Sequence, residues 1–175
     1  MNTDLRYPIG KFNKNISVTD SLKQEFISEI EILPGFLFNE VVNLTKVQLD
    51  TPYRDGGWTI RQVIHHLPDS HLQAYVRFKL ALTEENPAIK TYKENLWAEL
   101  KDTVETPIEI SLQLLDSLHK RWTVLLKSLS PEQFDKTFYH PEWETISLRK
   151  TLALYAWHGK HHLAHITKLK ERMGW

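Results

Sequence analysis

The densest chemistry in this chain lies near its end. Trp157-His158-Gly159-Lys160-His161-His162-Leu163-Ala164-His165 places four histidines within eight positions. His158 and His162 are four apart, so on a helix they stack on one face. The apolar stripe of that helix runs through Leu148, Leu152, Tyr155, Leu163, Ile166 and Met173. At about 100° per residue, His162 falls near the edge of this stripe and His158 just beyond it. His161 and His165, also four apart, are rotated further towards the polar side. Imidazoles on an inward face need partners, because each unpaired polar group there costs roughly 1–3 kcal/mol. A shared metal ion satisfies the pair together; two core histidines hydrogen-bonded to the protein satisfy it separately.

A metal would need a third ligand, and His65-His66 is the other histidine-dense place. His66 shares a stripe with Gln62, Asp69, Gln73 and Arg77, spaced three or four apart. Its plain reading is a solvated face. Its functional reading makes Gln62 and Arg77 groups that orient ligands or a polar substrate, and Asp69 an acceptor behind a ligand or a general base. His65 has no such company, but spacing alone does not choose between the two. Three imidazoles with one position open are the pattern of a catalytic rather than a structural site. Gly159, directly after His158, excludes the H-E-x-x-H protease signature and suggests a close helix approach. His71 falls on the apolar face of its helix and reads as a satisfied core histidine. His119 and His140 have no partner pattern and read as surface or loop residues.

The elements that position these groups read as helices. From about Asp20 to Leu44 the apolar spacing is helical, and Pro34-Gly35 predicts a kink or two shorter helices. Thr59 with Gln62 three residues on is a capping box, opening a second helix from about Ile60 to Thr83. Pro68 inside it predicts a kink within a turn of His66, since a helical proline costs on the order of 3 kcal/mol. A short helix is expected around Glu94–Leu100, including Trp97. A third long helix follows, roughly Pro107 to Ser128, with Pro107 in its first turn. Ser130-Pro131-Glu132-Gln133 reads as a capped single turn, and the last helix runs from Ser147 to about Arg172. Apart from Thr145-Ile146, little reads as strand. The expectation is an all-α four-helix bundle with long connections, one domain over 1–175 with an extended arm over 1–17.

Composition narrows the function classes. Lys+Arg 22 balances Asp+Glu 22, so nothing points to nucleic acid. The chain has no cysteine, which excludes disulfides, a thiol nucleophile and thiolate ligands. No stretch is long and apolar enough to span a bilayer, and the first eight residues hold no apolar leader core; a soluble cytoplasmic protein is expected.

In order and spacing, many segments resemble the YfiT-like branch of the DinB superfamily. They are Asp50-Thr51-Pro52-Tyr53-Arg54-Asp55-Gly56-Gly57-Trp58-Thr59, Arg61-Gln62-Val63, His65-His66-Leu67 and Asp69-Ser70-His71. Tyr75, Arg77-Phe78-Lys79, Leu82-Thr83-Glu84-Glu85, Arg121-Trp122 and Tyr139-His140-Pro141 continue the likeness. So do Trp157-His158, His161-His162, Ala164-His165-Ile166 and the terminal Arg172-Met173-Gly174-Trp175. The resemblance implies a DinB/YfiT-like four-helix bundle that holds a divalent metal with one histidine of the second helix and a pair four apart on the last. Motif by motif these are His66, His158 and His162. It also implies a homodimer, and either a metal-dependent hydrolase or a thiol S-transferase using bacillithiol, mycothiol or a glutathione-like cosubstrate. Pro68 departs from the family pattern, which carries a small residue such as Ala there.

The leading expectation is therefore an enzyme with one zinc or nickel ion per chain that activates a bacillithiol-type thiol for transfer to an electrophile. Metal coordination deprotonates a thiol, and the thiolate is the reactive form. Arg77, Trp97 and Tyr139 are expected around the pocket. The alternative uses the same ion to activate water, with Asp69 as the base. A third reading is a metal-binding protein without turnover, its site closed by His165 or His161.

Overall fold

The computed structural model describes residues 4–175. In chain order its elements are α1 (Asp20–Val41), α2 (Lys46–Leu49), α3 (Ile60–Thr83), α4 (Glu94–Trp97), α5 (Lys101–Glu105), α6 (Ile108–Ser128), β1 (Thr137–His140), β2 (Glu144–Ser147) and α7 (Leu148–Met173). Three of the four long helices open on a hydroxyl that accepts an otherwise orphaned N–H. Thr19 accepts from Leu22, Thr59 from Gln62 and Ser147 from Lys150. At Thr59 the Gln62 side chain returns the favour to the cap's own N–H, completing the reciprocal box. α6 follows Pro107 instead, and α7 ends on Gly174 at φ +70°.

α1 packs on α6 and α7, and α3 packs on the same two, closing a four-helix ring. Its interior is divided. One apolar cluster gathers Ile27 and Ile30 of α1, Phe78 of α3, Trp122 of α6 and Leu152 of α7. The other gathers Leu37, Ile64, Leu115 and Ile166 from the same four helices. On α3, α6 and α7 the residues between these clusters include His71, His119 and His158–His165, so a histidine layer lies between two greasy halves. Each fully buried aliphatic or aromatic side chain contributes roughly 1.5–3 kcal/mol, so the two apolar halves supply the main favourable term on either side of the polar layer.

Several sequence expectations need correcting. α1 is one continuous 22-residue helix across Pro34-Gly35, not two. α3 is likewise assigned as one helix, Ile60–Thr83, with Pro68, the site of the expected kink, inside it. A short helix, α2, follows Thr45, whose own capping box with Gln48 is present in the sequence. Glu94–Trp97 forms α4 as expected in place, but the chain starts a separate α5 at Lys101. A small antiparallel hairpin, β1 with β2, pairs Phe138 with Ile146, both buried against the first apolar cluster. Met173, assigned to the inward stripe, is 53% exposed at the helix end. Gly159 does mark a close approach: a Cβ there would lie 2.5 Å from Leu33 Cδ2 of α1. No helix among the described residues is long and apolar enough to cross a membrane.

Candidate metal centre

α3 presents His66 from its second turn, and α7 presents His158 and His162 from consecutive turns of one face. One ligand atom from each of the three lies within 4.8 Å of the others. His66 Nε2 and His158 Nε2 are 3.3 Å apart. Two nitrogens on a tetrahedral ion at about 2.0–2.1 Å stand roughly 3.3–3.4 Å apart, so this edge already has the required length. The Trp58 ring covers the cluster, 4.7 Å from the His66 ring and stacked at 12° over His162. His162 Nδ1 is buried with no hydrogen-bond partner among the described residues. Three nitrogen donors converging in this way fit a divalent ion, and no cysteine or carboxylate belongs to the group.

The surroundings keep these rings neutral. Burial is the largest effect in each case, and neighbouring imidazoles add to it. His66 is pushed down to about 4, and His158 and His162 well below their ordinary range. A neutral imidazole keeps a lone pair to donate, which is the form a metal needs.

The same layer holds four further histidines. His71 is fully buried, as expected for a core histidine, with Nε2 at 3.1 Å from His158 Nδ1 and Nδ1 at 2.9 Å from His119 Nε2. His119 is not a surface residue: it is 1% exposed, and its Nδ1 meets the Ile30 carbonyl of α1. Nothing in local spacing signals this, because the partner is a backbone group 89 residues away. His161 and His165 are also buried, not polar-facing. Segments distant in sequence cover them: His165 stacks on Tyr53 at 3.9 Å and binds the Arg6 carbonyl, and His161 lies between Trp157 and Tyr7.

The three histidines open onto a cavity of about 570 Å³, a volume usual for small-molecule sites. Arg77 and His165 line it too. Arg77 is 8% exposed, with Nη1 on the Tyr155 hydroxyl at 3.4 Å, Nε buried without a partner, and no carboxylate pairing among the described residues. Gln62, Asp69, Trp97 and Tyr139 are not in the lining. Gln62 is occupied by the α3 cap and by the Ala98 carbonyl at 2.9 Å. Asp69 is half-buried away from the cavity, its carboxyl raised to about 6 by burial and then by Asp102. Trp97 stands behind the wall, 4.5 Å from the lining Tyr92 ring, and Tyr139 is exposed on β1. Lining residues that spacing did not reveal include Tyr53, Arg54 and Trp58, delivered by the turn before α3, and His140, which ends β1 and faces the cavity instead of standing apart in a loop.

Fold and site together define a helical bundle with a three-histidine centre at the wall of a cavity. The chain belongs to the DinB superfamily, whose family model matches residues 37–166. It is 58% identical over 170 residues to an Oceanobacillus iheyensis protein named "Putative metal-dependent hydrolase OB0782", covering 97% of this chain and 98% of that one. A Bacillus mycoides protein with the same description is 55% identical over 172 residues, covering 98% and 99%. Among solved structures, YfiT from Bacillus subtilis superposes with TM-score 0.95 at 52% identity, covering 98% of this chain and 99% of that one. It is described as "a probable metal-dependent hydrolase with an unusual four-helix bundle topology". TT2238, described as a four-helix bundle protein, matches at TM-score 0.60 and 18% identity over 83% of this chain and 98% of that one, a likeness of fold alone.

Proposed function

We propose that this chain is a divalent-metal-dependent enzyme, with His66, His158 and His162 as the ligands, that activates a low-molecular-weight thiol of the bacillithiol type for transfer to an electrophile. The observation that carries the reading is three neutral imidazoles converging at the wall of a 570 Å³ cavity. Bound there, a zinc or nickel ion supplies the Lewis acidity that makes a thiolate from a thiol, or lowers the pKa of a water towards 7. With no cysteine in the chain, such a thiol would come from outside. Among the described lining residues the only carboxylates are Glu94 and Glu142, both exposed, so no buried carboxylate stands ready as the base for a water, which favours the thiol. Asp69, considered for that part, is outside the cavity.

The protein's own groups then bind and orient. Trp58 shields one side of the cluster from solvent, and Tyr53 and the Arg6 carbonyl hold His165, one of the two candidates for a closing fourth ligand. Arg77 offers a buried guanidinium to a carboxylate or phosphate on the substrate. Hydrolysis is the second reading, favoured by the descriptions of the Oceanobacillus and Bacillus relatives. Metal-loaded protein incubated with a reactive electrophile, with and without bacillithiol, separates the two. Thiol-dependent adduct formation is expected. Turnover that is indifferent to the thiol would contradict the transferase and leave the hydrolase.

A further inference from the structure

Pro34 has no N–H, so within α1 the carbonyl four residues earlier, that of Ile30, lacks its helical donor. His119 Nδ1 takes that place. A carbonyl only accepts, so His119 carries its proton on Nδ1. With one proton per ring, His119 Nε2 is then an acceptor, and the atom facing it is His71 Nδ1 at 2.9 Å. His71 must donate there, which leaves His71 Nε2 accepting from His158 Nδ1 at 3.1 Å. His158 Nε2 is left with its lone pair, and it is this atom that faces His66 Nε2 across 3.3 Å. A direction set at one carbonyl passes through three rings to a ligand atom.

We propose that His119 and His71, anchored on the carbonyl that Pro34 leaves free, are positioning residues that hold His158 in its Nδ1–H tautomer and present its Nε2 to a divalent ion. The proposal rests on the metal-centre reading above. A metal-bound histidine commonly donates its far N–H to a carbonyl or carboxylate directly, fixing its tautomer and strengthening it as a ligand. Here the carbonyl stands two further rings away, and the chain Ile30–His119–His71–His158 takes one member from each of α1, α6, α3 and α7. Burial, the largest influence on both His71 and His119, disfavours a second proton on either ring. The chain does not drain protons from the site, since it ends on a carbonyl with no proton to pass. Its work is orientation.

Nitrogen-15 NMR of the metal-free protein reports which ring nitrogen carries each proton. His71, His119 and His158 are expected on Nδ1–H; a His158 proton on Nε2 overturns the proposal. Because no metal is present, this outcome is distinct from failure of the metal reading, which would show as wild-type protein that binds no zinc. Two variants test the consequence through zinc affinity, read by competition with a chromophoric chelator. His119→Phe cuts the chain, so His71 and His158 are expected to move their protons to Nε2 and zinc affinity to fall about 10–100-fold. His119→Gln can still donate to Ile30 and accept from His71, and should retain the wild-type tautomers and affinity. Unchanged affinity in His119→Phe, or an equal loss in His119→Gln, overturns the proposal.

Discussion

His158 and His162 are chemically alike, yet they differ in what stands behind them. His158 Nδ1 is engaged by His71, whereas His162 Nδ1 is buried without a partner among the described residues. Arg77 is the other residue whose environment sets its use: it is the only buried charge among the described lining residues, with no acid beside it. A buried unpaired charge is costly, and an anionic substrate group relieves that cost. Arg77→Gln is therefore expected to remove a charged hydrogen bond worth about 1.5–3 kcal/mol, lowering kcat/KM roughly 10–100-fold for a substrate bearing a carboxylate or phosphate. A neutral analogue of that substrate should be unaffected; an equal loss for both would show that Arg77 only supports the fold. At this scale the sequence disclosed the His158–His162 pair through spacing, and the family likeness chose His66 over His65. His65 in fact turns away, its Nδ1 on the Ser111 hydroxyl at 2.7 Å. His119, His161 and His165 were misplaced because their partners are an Ile30 carbonyl, Tyr7 and Tyr53, none of which helical periodicity can see.

Among the elements, α3 matters most, since it carries His66, His71 and Arg77. Its start depends on the Thr59–Gln62 box, so Thr59→Ala should cost about 1 kcal/mol. That corresponds to a Tm lower by roughly 2–4 °C for a chain of this size, and an unchanged melting temperature would contradict the cap's role. The long helices were legible where a cap met a clean apolar period, as at Thr59 and Ser147. Of the two outcomes expected for α1 at Pro34, a kink or two shorter helices, the second fails because a proline's cost is usually counted from the missing bond alone. Here the freed carbonyl gains a buried donor, and the helix continues. Of the β1–β2 hairpin only Thr145-Ile146 of β2 was legible: four-residue strands hold too few positions for alternation to show, and His140-Pro141 reads as loop.

Across the whole molecule, two apolar halves enclose a histidine layer, and that layering sets the response to acid. All nine histidines are held below their ordinary range, burial being the largest cause for each. Below about pH 6.5 the unfolded chain therefore binds more protons than the folded one, and stability rises with pH in that window. The stabilisation is fully present above about 6.5 and is lost as pH falls towards about 4, where His66, His119, His161 and His165 titrate in the folded state. Asp69, raised to about 6, opposes this trend between its unfolded value and 6, but it is one group against many. Urea midpoints of the metal-free protein should hold level from pH 8 to 7 and drop steadily from 6.5 to 4.5; a flat profile would contradict the buried layer. The layering itself was not legible in the sequence, since it exists only once four helices are aligned. The most direct measurement is zinc stoichiometry with X-ray absorption at the bound ion, on wild type beside His158→Ala. One ion per chain is expected, with three imidazole nitrogens at about 2.0–2.1 Å, and binding largely lost in the variant. A wild type that takes up no zinc, or a variant that binds it as tightly through other donors, would contradict the three-histidine centre.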